Sequence, residues 1–406
     1  MDGFSQPLED RKVVKGIMRT GAFVSLIIGL TIMIFFIDKV MESHSIPQEG
    51  QILNFEHWGA FGDFIAGVAG TLFSLGGFFL LYLTLQDQRE NFHKERLESN
   101  FFEMVRFHRE NVDELQFTYY ESMDKDSKET AVKRKVFKLI ILHFKEAWGE
   151  LQHFFADGKE ETIYQKEYLE KNKKNPKLLG RTINLVQLAQ IDIIYHIIFF
   201  GLSQEDKQTI LKRLERKYNS TFVNNVLTYA SLKPKKESVY WGNWKQTADL
   251  ENKIAIFQEI LKKRANPAYE PTEILTGWIV EGDRYYSYRA FYPDNYDKYY
   301  GGHQFRLGHY YRHMYAAVNF IDREKYLSQE EKYFYIKILR VQLSNYEQIA
   351  LFLNTISGLG RAWELEGDST LVSTYNLITN IPSISVINDI NTRDYYPNVQ
   401  YEHGMS

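Results

Sequence analysis

The chain has 406 residues, no cysteine and a formal net charge of −3 at pH 7. A chain without cysteine uses no disulfide, and a nearly balanced charge gives no general attraction to nucleic acid, so any basic binding site must be local. The sequence also lacks a Walker loop, GxSxG, HExxH, paired CxxC and a Rossmann fingerprint. ATPases, serine hydrolases, zinc proteases and dinucleotide enzymes therefore have no local support.

Two apolar segments lie near the start of the chain, at residues 21–37 and 58–85. The first, GAFVSLIIGLTIMIFFI, carries no charge and is just long enough to cross about 30 Å of hydrocarbon. A cleaved signal peptide is the alternative for this segment, but its basic start would be unusually long and no A-x-A-like site follows Ile37. We expect two transmembrane helices.

Basic residues indicate the orientation of these spans. Lys39 stands alone between them, whereas others cluster before the first span and after the second: Arg11, Lys12, Lys15 and Arg19, then Arg89, Lys94 and Arg96. The positive-inside rule then places both termini in the cytoplasm. The predicted fold is mainly α: a cytoplasmic tail (1–20), transmembrane helix 1 (21–37), an external loop (38–57), transmembrane helix 2 (58–85), a stalk helix (86–120), a helical cytoplasmic domain (121–380) and a C-terminal tail (381–406).

Helical periodicity runs through most of the cytoplasmic part, at 131–156, 204–231, 247–265, 306–322, 328–357 and 368–379. The segment 183–202 has the length of a membrane span, but Asn, Gln, Asp and His side chains interrupt it. We expect it to be a buried central helix that ends at Gly201. Strand signals are few.

Three segments together resemble the phage abortive-infection (AbiC-like) family. The second span and its continuation, GAFGDFIAGVAGTLFSLGGFFLLYLTLQDQRE and SNFFEMVRFHRENVDEL, resemble the start of that family. GGHQFRLGHYYRHMYAAVNFID and YFYIKILRVQLSNYEQIALFLNTIS resemble its late signature. The resemblance covers about 58–116 and 300–358, and it implies a bacterial inner-membrane protein that answers phage infection by halting or killing the cell.

Within the second span, small residues recur every fourth position at Gly62, Ala66, Gly70 and Ser74. Such a stripe lets helices approach closely, either within the hairpin or between copies in a homo-oligomer. Asp63 lies near the start of the same helix. It can be an interfacial capping acid, or it can serve gating or assembly.

The segment HQFRLGHYYRH, residues 303–313, is the densest cluster of ionisable nitrogen. Arg306 and His313 have the R-x6-H spacing of HEPN-type ribonucleases, although Leu307 stands where that motif usually carries a polar residue. His309 and His313 are spaced to share a metal, but no third ligand accompanies them, and we predict no metal or other cofactor. A structural or ligand-sensing polar cluster that includes Arg312 is the favoured interpretation.

In the later helical pattern, Arg340, Ser344 and Glu347 fall on one face. A polar line on an apolar helix typically forms a buried hydrogen-bonded network. A buried carboxylate needs a cation, and Arg306, Arg312 and His313 are the candidate partners of Glu347.

Seven tyrosines crowd residues 285–300, together with Arg284, Arg289 and Lys298. Aromatic and basic side chains in alternation can stack bases and hold phosphates, which admits a nucleic-acid or nucleotide surface. Loop packing or a protein interface is the alternative.

Three functions remain open on this basis. The first is a non-enzymatic anti-phage effector that senses infection and impairs the membrane or arrests growth. The second is a membrane-anchored HEPN-like ribonuclease using Arg306 and His313. The third is a scaffold that recruits a separate toxin. The expected partners are the lipid bilayer, further copies of the chain, and a phage-derived or defence-system protein.

Overall fold

The computed structural model describes residues 8–42, 55–120, 128–251, 253–264, 266, 268, 274–281, 284–291, 296–381, 385–387 and 390–402. Helices make up most of this described chain and strands are few, which confirms the mainly α fold class. The chain divides into two compact units. The first contains residues 1–103 and 323–328, and the second contains residues 104–322 and 329–406.

Two long apolar helices dominate the first unit. Helix α1 is Leu8–Glu42; α2 (Phe55–Phe64) continues through one π-helical turn (Ile65–Ala69) into α3 (Gly70–Asp113). The stretches Val13–Lys39 and Gly62–Asp113 are both long and apolar enough to cross a membrane. Each helix therefore extends well past the apolar core that the sequence marks out.

Helices α1 and α3 run antiparallel and touch through small residues. A Cβ built on Gly76 of α3 would lie 2.8 Å from Cγ of Leu26 on α1, closer than side-chain carbons pack, so glycine is required there. At one end of the pair, Lys15 donates to Asp87 and Glu90, each at 2.7 Å. These contacts make residues 8–42 and 70–90 a helical hairpin.

Among its described residues, the second unit contains α-helices of 4 to 19 residues and three antiparallel strand pairs. Its larger helices are α4 (Lys135–Leu151), α8 (Leu185–Phe200), α9 (Gln204–Leu214), α10 (Ser220–Ala230), α11 (Trp241–Ala248), α12 (Lys253–Arg264), α13 (Gln304–Asp322), α14 (Gln329–Arg340) and α15 (Asn345–Ile356). The shorter helices are α5 (Glu160–Ile163), α6 (Lys166–Lys173), α7 (Pro176–Leu179), α16 (Leu371–Thr374) and α17 (Thr392–Tyr395). The strands pair as β1 (Gln116–Tyr120) with β2 (Lys128–Val132), β3 (Ile274–Glu281) with β4 (Arg284–Phe291), and β5 (Ser385–Ile387) with β6 (Ile390–Asn391).

Several helix boundaries differ from the sequence predictions. The pattern at 204–231 is two helices, α9 and α10, and residues 368–379 contain only the four-residue α16. The stalk helix ends at Asp113, and residues 116–120 form β1 instead of its last turns. The pattern at 328–357 is two helices, because the chain leaves the helical conformation after Arg340 and starts a new helix behind Ser344.

Helix α8 is the central helix of the second unit, as its sequence predicts. Almost every residue from Leu188 to Phe200 is buried, and the helix packs against α4, α9, α13 and α15. The side chain of Asn184 caps its start by accepting from the backbone N–H of Gln187 at 3.1 Å. Gly201 ends it with φ of 92°, in the left-handed region that glycine tolerates best.

Asp192 is the polar centre of α8 and is fully buried. Its carboxylate accepts from the Tyr218 hydroxyl at 2.7 Å, from the Gly358 backbone N–H at 2.6 Å and from the Arg361 guanidinium at 3.4 Å. Burial works against this charge, but Arg361 and His196 outweigh it and hold the pKa of Asp192 far below its usual range. The chain after α15 is therefore fixed to α8 by a compensated buried charge.

Candidate functional site

Only the first part of the predicted basic cluster of α13 lines a cleft. Arg306, half-buried, and His309, exposed, line a cleft of about 1250 Å³. Arg312 and His313 are exposed and do not line it. The imidazoles of His309 and His313 lie 6.5 Å apart between ring centroids. Among the described residues, no group of three His, Asp or Glu side chains is placed to hold a metal ion.

Glu347 is the most completely engaged member of the predicted polar line, and its side chain is 1% exposed. It forms a capping box at the start of α15, in which its carboxylate accepts from the backbone N–H of Ser344 at 2.8 Å and from the Ser344 hydroxyl at 2.6 Å. The hydroxyl of Tyr310 donates to it at 3.3 Å. The cation beside Glu347 is Arg134, 3.3 Å away at the start of α4, and not one of the three basic residues that the sequence suggested.

Arg340 belongs to a separate network at the end of α14. Its guanidinium is buried and donates to the carbonyl oxygens of Tyr375 and Asn376 and to the hydroxyl of Tyr333, each at 3.2 Å. Arg340 and Glu347 therefore share no hydrogen bond, and both hold helices in place.

His108, near the end of α3, is a buried titratable group that sequence reasoning missed. Both of its ring nitrogens lack a hydrogen-bond partner among the described residues, and its ring packs 4.7 Å from that of Tyr310. Burial, reinforced by the positive charges of His313 and Arg134, lowers the pKa of His108 to about 4. The imidazole is consequently neutral at pH 7.

The cleft beside Arg306 contains two further histidines to which the sequence analysis assigned no individual role. The rings of His143, on α4, and His303, just before α13, lie 5.7 Å apart, and the ring of Phe117 contacts both edge to face. Burial lowers the pKa of His143 to about 4 and moves that of His303 well below 6.5. Arg306 Nη1 lies 3.2 Å from His303 Nδ1, so that nitrogen is the acceptor. The cleft thus combines one guanidinium with two neutral imidazoles.

The tyrosine-rich segment contributes to the same cleft through its last residues. Tyr299 lines it, stands 5.3 Å from the His143 ring, and donates from its hydroxyl to Glu146 at 2.5 Å. Lys298 lies over the ring of Tyr296 at 3.6 Å. The side chains of residues 284–295, including Arg284 and Arg289, lie outside the described residues, although the backbone of 284–291 forms β4.

The membrane-segment candidates surround the π-helical turn. Gly62, Asp63, Ala66 and Ser74 are exposed, and Gly70 is partly buried with only the carbonyl oxygen of Ile65 near its Cβ position, at 3.6 Å. The fully buried small residue here is Ala69, because the extra residue in the π turn rotates the helix relative to the four-residue repeat. The predicted stripe therefore lies outside the contact between α1 and α3.

Comparison with known proteins gives one family. Residues 302–386 match the model of the family described as "Putative phage abortive infection protein". The matched segment begins at the cleft with Gly302 and includes α13, α14, α15 and α16. No curated protein and no solved structure matches the chain. Over residues 302–386, the family resemblance seen in the sequence is confirmed: the chain is similar there to the phage abortive infection family.

Proposed function

We propose that this protein is a membrane-anchored effector of bacterial defence against phage, whose cytoplasmic domain detects infection and then impairs the membrane or arrests growth. The observation that carries the proposal is the position of the family match. It covers residues 302–386, which include Arg306 and His309 at the cleft and Glu347 in the buried network beside it. A segment that lines a cleft and is held by a buried hydrogen-bonded network is suited to binding a ligand.

The anchoring part rests on α1 and α3. Their exposed large side chains include Phe23, Phe35 and Phe78, which suit a lipid environment better than water. Because basic residues lie at the outer ends of the hairpin, we place both termini in the cytoplasm and the connection between the helices outside. A reporter fused after Glu110 should be cytoplasmic and one inserted within 43–50 should be external. Finding both reporters on one side would refute the hairpin topology.

The principal experiment is induced expression in bacteria, with and without phage, while membrane potential and RNA integrity are followed in the same culture. We expect reduced plaque formation and early depolarisation with intact RNA. Degraded RNA in cells with a polarised membrane would replace this proposal with the anchored ribonuclease. Protection with neither change would favour the scaffold that recruits another toxin.

The ribonuclease alternative has less support from the geometry. The guanidinium of Arg306 is engaged with the Gln116 carbonyl oxygen at 2.7 Å and with His303, whereas His313 is outside the cleft that Arg306 lines. Since His313 is exposed, His313→Ala should change stability by less than about 0.5 kcal/mol. We expect this variant to protect cells normally. A folded, inserted and inactive His313→Ala protein would favour the ribonuclease.

Self-association is part of the proposal. The stripe of Gly62, Ala66, Gly70 and Ser74 is not used inside the hairpin and is the surface that we propose for contact between copies. Gly70→Leu should reduce protection while leaving insertion and protein level unchanged. Gly77→Leu is the matched control, because no atom lies within 4 Å of a Cβ at Gly77. Equal protection by both variants would remove this interface.

A further inference from the structure

The cleft at the start of α13 is large enough to hold a small-molecule ligand. It lies among β1, β2, α4 and residues 299–309, all within the second unit. Its volume of about 1250 Å³ exceeds that of a typical small-molecule pocket, roughly 300–1,000 Å³. A ligand with a base, a sugar and phosphates would fit this space.

Cations outnumber carboxylates along its walls. Five cationic side chains line the cleft, Lys135, Lys138, Lys235, Lys236 and Arg306, against three carboxylates, Glu114, Glu146 and Glu237. Glu146 is already engaged by Tyr299 and by Lys233, whose Nζ lies 3.6 Å away. Lys235 is paired with Asp297 at 3.0 Å, whereas Lys135 and Lys138 form no ion pair among the described residues. The surplus of positive charge favours an anionic ligand.

Arg306 gives the most specific indication of an anion. Its guanidinium is half-buried, yet its hydrogen-bond acceptors within the described chain are neutral: the carbonyl oxygen of Gln116 and the imidazole of His303. It also lies over the rings of Phe117, at 4.8 Å, and Phe305, at 4.1 Å. Burial lowers its pKa, and no carboxylate offsets that effect. A partly desolvated guanidinium without a counter-ion is unfavourable, and a phosphate can satisfy it bidentately.

Aromatic rings distinguish a nucleotide from a bare anion. Phe117, Tyr299 and Phe305 all line the cleft, and the ring of Phe305 is 69% exposed and so accessible to a ligand. Rings of this kind stack on nucleobases, while neighbouring lysines and arginines hold the phosphates. The neutral imidazoles of His143 and His303 can hydrogen-bond the ligand without charge repulsion from Arg306.

We propose that this cleft binds a nucleotide, with its phosphates at Arg306 and Lys138 and its base against Phe305. The inference rests on the proposed function, because it names the chemical class of signal that the cytoplasmic domain detects. Tyr310 follows Arg306 by about one helical turn and donates to Glu347, so the bound phosphate lies close to the network that fixes α15.

The test is nucleotide binding by the full-length protein in nanodiscs, by equilibrium dialysis with labelled ATP, GTP and inorganic phosphate. We expect ATP or GTP to bind and Arg306→Gln or Lys138→Gln to weaken that binding at least 10-fold. Lys138 is exposed, so its replacement should not disturb folding. Lys145→Gln, an exposed lysine of α4 outside the cleft, is the charge-matched control and should change binding less than twofold.

Phe305→Ala tests the contribution of the base, and binding of inorganic phosphate is its control because Arg306 also lies over this ring. It should weaken nucleotide binding about 10-fold, as expected for a lost stacking contact, and leave phosphate binding unchanged. The proposal would be overturned if inorganic phosphate bound as tightly as ATP and GTP. It would also be overturned if no nucleotide bound with a dissociation constant below about 1 mM, which is a limit for a specific small ligand. Cleavage of an added RNA oligonucleotide that requires His143 or His303 would replace it with catalysis.

The same variants separate this inference from the proposed function. Plaque formation is measured for wild type, Lys138→Gln and Lys145→Gln. If Lys138→Gln binds nucleotide more weakly but protects cells as fully as wild type, nucleotide sensing is refuted and the defence function is not. No protection by the wild-type protein would refute the defence function, whatever the dialysis shows.

Discussion

Removing the Glu347 carboxylate should destabilise the second unit by breaking a buried network. Glu347→Ala removes the acceptor of the Ser344 backbone N–H and leaves the fully buried hydroxyl of Tyr310 without a partner. The lost cap costs about 1 kcal/mol, and an unsatisfied buried hydroxyl costs about 1–3 kcal/mol. Arg134 adds less than about 1 kcal/mol, because its side chain is 52% exposed and remains hydrated when its partner is removed.

The sum is about 3 kcal/mol, which corresponds to a drop of roughly 6–12 °C in the unfolding temperature of a domain of this size. The assay is thermal unfolding of the detergent-solubilised protein, with protein abundance in cells as a second measure. Ser344→Ala and Arg134→Gln are the graded controls, each expected to cost about 1 kcal/mol or less.

Loss of protection should follow the loss of folded Glu347→Ala protein. A variant that unfolds within 2 °C of wild type (less than about 1 kcal/mol) and yet gives no protection would refute this reasoning. It would mean that the carboxylate acts on a ligand and not on the fold.

Three further predictions test other parts of the structure. His108 resists protonation in the folded protein because its pKa is about 4, against 6.5 when exposed, so the free energy of unfolding should fall by about 3 kcal/mol as the pH drops from 6.5 to 4. His108→Phe should remove that share of the loss. A variant with the same pH profile as wild type would contradict the lowered pKa of His108. Asp192→Asn leaves the buried guanidinium of Arg361 with only the half-exposed carboxylate of Glu366, 3.7 Å away, so its cost should be about 3 kcal/mol in thermal unfolding. Lys173→Gln, in an exposed pair with Glu160, is the control and should leave the unfolding temperature almost unchanged. Gly76→Leu should abolish the contact between α1 and α3, whereas Gly77→Leu should not. The assay is cross-linking between cysteines introduced at Gly21 and Phe79. Equal cross-linking in both variants would show that the close approach of the two helices at Gly76 is not required.

The sequence predicts α8 well because the signal is local. Polar residues interrupt an apolar run too often for a membrane span, Asn184 and Gly201 mark the ends, and the structure buries the helix. The end of α14 was missed although a local signal existed. Ser344 followed three residues later by Glu347 is a capping-box pattern, which predicts that a helix starts at Ser344. That pattern is a stronger signal than the spacing that suggested one polar helix face.

The partners of the charged residues were not predictable from the sequence. Arg134 meets Glu347, and His143 meets His303, only because α4 packs beside the start of α13 and α15. Nothing local encodes such long-range pairs. The π-helical turn of the first unit was also not predictable from the four-residue repeat. Its extra residue places Ala69 rather than Gly70 in the buried position.

The charged residues of the matched segment therefore fall into two groups with different consequences. Arg340, Glu347 and Arg361 are buried, hydrogen-bonded inside the protein and absent from the lining of the cleft, so replacing them tests the fold before it tests anything else. Arg306 also meets only neutral acceptors among the described residues, as Arg340 does, but Arg306 is half-buried and lines the open cleft. A guanidinium that faces a cleft without a counter-ion is placed to bind an anionic ligand. Lys138 lies outside the matched segment, but it is exposed and lines the same cleft. Arg306 and Lys138, and not the buried residues away from the cleft, are therefore the positions at which defence should be lost without loss of folded protein.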